Sequence, residues 1–189
     1  MKTIHVVSLT LLHVLAVNAQ NNGPLECPKP AVQQDFDPTR YMGRWYEIMK
    51  IQSQFQFGEC CQATYALSNG IILVRNDELL ANGTISFIEG TAKITDPSEP
   101  AKLQVSFFKG APPSPYWVLA TDYDNYALVY SCTENWDLRH DVYAWIMSRE
   151  RTLPKETLSE LLGILKAINL PSFLFDKTDQ SPELCSNMP

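Results

Sequence analysis

The chain has 189 residues, with 15 basic against 21 acidic side chains, a net charge of −6 and 45% hydrophobic residues. That length suits one domain with a sizeable core, and no linker or repeat divides it. The acidic balance argues against nucleic acid or an anionic membrane surface as a partner.

At the N-terminus, Lys2 precedes an apolar stretch from Ile4 to Val17 that ends in Val17-Asn18-Ala19. This reads as a secretory signal peptide, residues 1–19, cleaved after Ala19. His5, Ser8, Thr10 and His13 interrupt the stretch, which falls short of the roughly 20 apolar residues that a bilayer crossing needs. Residues 20–189 then form a single exported domain beginning with Gln20, a residue able to cyclise to pyroglutamate. Export to an oxidising compartment makes disulfides the default. Cys27, Cys60, Cys61, Cys132 and Cys185 allow two bridges and one leftover thiol, and counting alone leaves the pairing open. No CxxC motif points to zinc or redox chemistry.

From Gly43 onward, runs rich in β-branched and aromatic residues alternate with turn residues. Strands are predicted near 43–52, 59–68, 71–77, 83–94, 101–109, 115–122, 126–133 and 141–148. The breaks hold Ser68-Asn69-Gly70, Asn82-Gly83, Asp96-Pro97 and Ala111-Pro112-Pro113-Ser114-Pro115, with Gly, Asn or Pro where turns want them. After Pro154 the period changes: Leu158, Leu161, Leu162, Leu165 and Ile168 recur at helical spacing until Pro171. A lone helix after eight strands cannot be a crossover in a parallel sheet, so it lays its leucine face on the outside of a barrel. Phe173, Leu174 and Phe175 lead into a tail ending near Cys185. The expected fold class is all-β, an eight-stranded antiparallel up-and-down β-barrel with one C-terminal amphipathic helix packed outside. The interior of such a barrel is just wide enough to be filled by side chains or to hold one small ligand.

Gly43-Arg44-Trp45-Tyr46 resembles the Gly-x-Trp signature of lipocalins; Thr121-Asp122-Tyr123 and Arg149 resemble their second and third motifs, in the same order. Cys27-Pro28-Lys29-Pro30, Glu99-Pro100-Ala101-Lys102-Leu103, and the runs from Pro115 to Tyr123 and from Asn125 to Cys132 are similar to the apolipoprotein D-like branch of that family. Fish and insect bilin-binding lipocalins share the same text. The resemblance spans Cys27 to Cys185 and implies a barrel closed at its bottom by Trp45 and Arg149. A guanidinium on an indole face has its own physical basis, a cation–π contact of about 0.5–2 kcal/mol.

Period-two alternation sorts the eighth strand: if Arg149 points inward, so do Met147, Trp145, Tyr143 and Asp141. Trp145 and Tyr143 then stand in the cup, where the resemblance implies ligand contact; the competing reading makes them core filling. Tyr65, Asn76, Phe107 and Tyr116 match further pocket-lining positions of the family. Aromatic faces with a few hydroxyl and amide tips suit a mostly apolar ligand carrying one or two polar groups. Tyr65 shares parity with Cys61, so an inward Tyr65 implies an inward Cys61 as the free thiol and an outward Cys60, unless a β-bulge intervenes. The resemblance pairs Cys60 with Cys185 and Cys27 with Cys132.

Asn82-Gly83-Thr84 is the only proline-free glycosylation sequon and falls on a predicted turn, which marks Asn82 for a glycan. His140, the only histidine after the leader, reads as a surface or hydrogen-bonded residue, with ligand recognition as the alternative. Glu47 shares the parity of Trp45 and is expected to satisfy groups at the closed end. No nucleophile elbow, zinc-protease motif, phosphate loop or metal-ligand set occurs.

The resemblance thus implies a secreted, non-enzymatic carrier of a small hydrophobic ligand such as a fatty acid, steroid or similar lipid, with no cofactor. The bilin-binding members imply biliverdin as the alternative ligand. A cavity-thiol isomerase acting through Cys61 is a third reading, which needs an activating base that the sequence does not supply. A fourth reading is an interaction protein whose apolar loops at the barrel mouth touch lipoprotein or membrane; Lys109-Gly110-Ala111-Pro112-Pro113 departs from the more apolar text of the apolipoprotein D-like branch there, which weakens the inference of lipoprotein association and leaves the reading open. Glu134 stands where some relatives carry an unpaired cysteine, which removes intermolecular bridging at that position.

Overall fold

The computed structural model describes residues 27–135 and 140–189, so the expected signal peptide, its cleavage site and Gln20 lie outside the described residues. Eight strands follow in order: β1 (Gly43–Ile51), β2 (Glu59–Ser68), β3 (Ile71–Leu79), β4 (Ile85–Ile94), β5 (Lys102–Ser106), β6 (Ser114–Thr121), β7 (Tyr126–Glu134) and β8 (His140–Ser148). Each pairs antiparallel with the next, and β8 pairs with β1, so the sheet closes into the expected up-and-down barrel.

Turn chemistry accounts for the connections. Asn69 and Gly70 both adopt positive φ, 50° and 77°, which matches the right-handed strand twist and lets a two-residue turn join β2 to β3. β5 ends earlier than its sequence pattern suggests, because Phe107 leaves the ladder to lie against Gly90. A Cβ on Gly90 would sit 2.5 Å from the Ser106 carbonyl oxygen and 2.6 Å from the Phe107 ring. Only glycine leaves that space.

Two helices bracket the barrel's closed end and its outer wall. The single turn α1 (Pro38–Tyr41) begins at Asp37, whose carboxylate accepts from the Thr39 amide at 2.8 Å, a side-chain N-cap. The amphipathic α2 (Lys155–Ala167) buries Leu161 and Leu165 in one hydrophobic cluster with the outward-facing Leu128 and Ile146 of the barrel wall. It stops at Asn169, held at φ 64°, with the Asn169 amide donating to Lys166 and the Leu170 amide to Leu165. These are the two bonds of a Schellman cap, with Asn in the position that needs a left-handed residue.

The tail departs from the sequence expectation. Phe175–Lys177 forms a ninth strand, β9, antiparallel to the outer half of β1. The reason is a bulge in β1: its register with β8 shifts between Glu47 and Met49, and its pairing with β2 covers only Gly43 to Tyr46. Beyond that point the two strands part, and the tail occupies the gap. Thr178 donates its amide to Ile48, Cys60 donates to Asp179, and the Gln180 amide group donates to both Glu47 and Cys61 carbonyls. The Cys60–Cys185 disulfide pins the tail there, and Cys27–Cys132 fastens the N-terminal strap to β7. These bridges span 105 and 125 residues, respectively for Cys27–Cys132 and Cys60–Cys185, long loops whose closure typically contributes about 2–4 kcal/mol each.

Candidate binding site in the barrel

At the closed end, Trp45 is fully buried and the Arg149 guanidinium lies 3.6 Å from its ring centroid. The same guanidinium donates to the carbonyls of Tyr123, Arg44, Arg40, Tyr41 and Met42. One side chain therefore ties α1, the start of β1 and the β6–β7 turn together. Gly43 takes φ 91° here, and a Cβ would meet Arg149 at 3.4 Å, so the glycine of the first motif has a local cause.

Above this plug sit three tyrosines. Tyr41 and Tyr65 each share a hydrogen bond with the hydroxyl of Tyr116, both at 2.8 Å. Their rings pack against one another and against Trp45, with Tyr41 centred 5.2 Å from the indole and 5.4 Å from Tyr65. Burial pushes the Tyr65 phenol up to about 12 and raises Tyr41 and Tyr116 well above the ordinary value, so all three stay neutral at physiological pH. Sequence reasoning missed Tyr41 because it lies on a four-residue turn outside any strand pattern.

Higher up, Tyr143 stacks on Trp145 at 6.0 Å, and Phe55 of the β1–β2 loop meets Tyr143 edge-on at 5.0 Å. The Trp145 indole donates to the Gln56 side chain, which in turn donates to Glu47. Phe107 covers Gly90, and Asn76 stands opposite Ala63 and Ile88, with its amide oxygen buried and without a hydrogen-bond partner.

Burial grades along the inner wall. Toward the closed end Trp45, Tyr65, Ile72, Val74, Ala92 and Met147 are buried; toward the mouth Asn76, Ile88, Phe107, Tyr143 and Trp145 stay partly accessible although they face inward. Side chains on the inner face of a closed sheet reach solvent only through space inside it, so the barrel is a cup with a filled bottom and an open mouth. A separate groove of about 350 Å³ lies on the outer wall beside Cys27–Cys132 and involves none of these residues.

The wall also holds a charged cluster, of which sequence reading placed Glu47 elsewhere. Glu47 does not serve the closed end: the β1 bulge turns Glu47 and Lys50 onto the same inner face, where they pair at 3.1 Å. Glu47 also accepts from Gln56 and Thr178. The Lys50 ammonium spends its other protons on the Gly58 carbonyl and the Cys61 sulfur. Cys61 is buried as a free thiol and donates to Gly58 at 3.2 Å, while burial pushes its pKa up to about 12. The bulge in β2 falls at Cys60, which takes φ 54°, upstream of the Cys61–Tyr65 pair whose shared parity is thereby kept. His140 pairs with Glu134 on the face opposite Trp145, and both its ring nitrogens are buried without a partner among the described residues. Glu134 itself accepts from the Cys27 amide.

Fold and site together define a small antiparallel barrel built as a cup, closed below by an arginine packed on tryptophan and lined above by aromatic side chains. The profile described as Lipocalin-like domain matches residues 36–170, and the chain belongs to the lipocalin family. It is 52% identical to apolipoprotein D of Macaca fascicularis over 156 residues, 82% of each chain. It is 33% identical to the Lazarillo protein of Schistocerca americana over 184 residues, covering 93% of this chain and 84% of that one. Among solved structures, insecticyanin from the tobacco hornworm Manduca sexta aligns with a TM-score of 0.70 and 31% identity, over 85% of this chain and 89% of that one.

Proposed function

We propose that this lipocalin is an exported, non-enzymatic carrier that takes one small hydrophobic molecule, a fatty acid, steroid or similar lipid, into its cup. The observation that carries this reading is the grading of the inner wall, from a sealed aromatic bottom to partly accessible Asn76, Ile88, Phe107, Tyr143 and Trp145 near the mouth. Removing apolar ligand surface from water contributes roughly 25 cal/mol per Å². The few polar tips among the aromatic faces orient what enters. The two disulfides, and the likeness to apolipoprotein D, support a protein matured in an oxidising, extracellular setting.

Cys61 does not favour the isomerase reading. A nucleophilic thiol needs its thiolate form, whereas this one is buried, pushed up to about 12 and beside a lysine whose charge Glu47 already neutralises. The second ligand reading, biliverdin, is favoured by the likeness to insecticyanin at a TM-score of 0.70.

Titration with palmitate, a steroid ketone and biliverdin, followed through tryptophan fluorescence, tests the proposal. Saturable quenching is expected with a lipid, weakened by Trp145→Ala. Absence of any response to all three, with the fold intact, refutes a carrier role. Tighter binding of biliverdin with a visible absorbance change moves the reading to a pigment carrier.

A further inference from the structure

Building on the carrier reading, we propose that Gln56 couples the load in the cup to the tail outside it: a filled cup tightens the docking of Thr178 on the β1 wall, and the docked tail in turn holds the ligand more firmly.

The coupling crosses a stretch of wall that side chains, rather than a backbone ladder, hold shut. β1 pairs with β2 only from Gly43 to Tyr46; beyond that, the Gln180 amide group bridges the parted strands by donating to the Glu47 and Cys61 carbonyls at 3.0 and 2.7 Å. On the inside, the partly accessible Trp145 indole donates to the Gln56 oxygen at 3.3 Å, and the Gln56 amide group donates to the Glu47 carboxylate at 2.7 Å. On the outside, the Thr178 hydroxyl donates to the other oxygen of that carboxylate, and its backbone amide donates to the Ile48 carbonyl at 3.1 Å. Trp145, Gln56, Glu47 and Thr178 thus form one hydrogen-bonded chain from the cup to the tail. The Lys50 side chain bonds to the same carboxylate, to Gly58 and to Cys61, none of them on Trp145 or the tail. Gln56 is therefore the hydrogen-bonded link between Trp145 and Glu47 among the described residues.

Both ends of this chain can respond. A ligand packed on Tyr143 and Trp145 excludes water from the indole and from Gln56 beside it. Lower local dielectric strengthens hydrogen bonds to a carboxylate, and bonds in a chain polarise one another. At the other end, β9 is three residues long, and so short an element opens locally without unfolding the barrel. The Cys60–Cys185 disulfide limits how far it can move. A Thr178–Glu47 bond that is stronger in the loaded protein lowers the open population of the tail. Linkage makes the effect reciprocal: removing that bond costs the loaded form more than the empty one, so affinity falls by the same factor.

Hydrogen exchange resolved amide by amide on the disulfide-intact protein tests this. The Thr178 amide on Ile48 and the Cys60 amide on Asp179 report the tail, and the Gln33 amide on Val118, in the N-terminal strap outside the wall, is the control. Saturation with palmitate, a steroid ketone or biliverdin, whichever binds, is expected to slow the tail amides about 5-fold more than the control. Gln56→Met, saturated with the same probe, loses that extra slowing, and Thr178→Val lowers affinity for the probe by about the same 5-fold. Equal slowing of tail and strap, extra slowing that survives Gln56→Met, or an affinity untouched by Thr178→Val overturns the coupling and leaves the carrier reading standing. Failure of all three probes to bind overturns both.

Discussion

Removing the Lys50 ammonium tests whether the charged cluster in the wall is a coupled unit. The Glu47 and Lys50 side chains are only 5% and 9% exposed, and their charged atoms are 3.1 Å apart. Deleting one partner of a buried pair costs about 3–5 kcal/mol, because the charge left behind is uncompensated. Glu47 keeps its bonds from Gln56 and Thr178, which places Lys50→Met at the lower end, about 3 kcal/mol. For a domain of this size that corresponds to a fall in melting temperature of about 6–12 °C. The double variant Glu47→Gln/Lys50→Met relieves both desolvation costs and is expected within about 1 kcal/mol of the unaltered protein. Urea unfolding with disulfides intact, followed by tryptophan fluorescence, completes the double-mutant cycle. Burial alone would lower the Lys50 pKa, but Glu47 and then Cys61 carry it above the ordinary 10.5. A cation with a raised folded pKa stabilises fully below its unfolded value and loses that contribution as pH climbs through the folded one. The gap between the unaltered protein and Lys50→Met therefore narrows above about pH 10.5. A single variant within 1 kcal/mol of the parent, or a double variant as unstable as the single, refutes the coupling.

Arg149→Lys keeps a charge but loses the planar fork and the stacked face, for a cost of about 2 kcal/mol and a melting temperature lower by about 4–8 °C; an unchanged melt would remove Arg149 from closure. Cys61, raised by burial to about 12, is expected to resist iodoacetamide at neutral pH until the chain unfolds, and rapid native-state alkylation would contradict the buried placement. Because its folded pKa lies above the ordinary 9.0, the thiol's contribution is full below that value and is lost between about pH 9 and 12, so Cys61→Ala flattens the alkaline stability profile. Asn82 is exposed in the β3–β4 turn with its side-chain oxygen accepting from the Thr84 amide. Protein secreted from eukaryotic cells is expected to lose mass on enzymatic deglycosylation, and Asn82→Gln abolishes that shift.

Much of the architecture was legible from local chemistry. Asn69-Gly70 encodes a tight turn wherever it occurs, period-two alternation from Gly43 to Ser148 encodes half-buried strands, and the leucines from Leu158 to Leu165 encode one helical face. Each of these is a property of residues within a few positions of one another. The motif residues Trp45 and Arg149 were also visible, through their resemblance to the first and third lipocalin motifs and not through any local period.

The tertiary structure decided what depends on one-residue shifts and distant partners. A bulge after Glu47 turns Lys50 inward, and period counting carries no sign of it. Phe175–Lys177 is too short to show a period, and it becomes a strand because β1 and β2 part and leave backbone groups to satisfy. Thr178 reaches Glu47 across 131 residues, and Tyr41 joins Tyr116 across 75. Away from the bulges, alternation determined which side chains face inward; barrel closure alone determined which inward side chains meet, because hydrogen bonds form between neighbours in space whatever their separation along the chain.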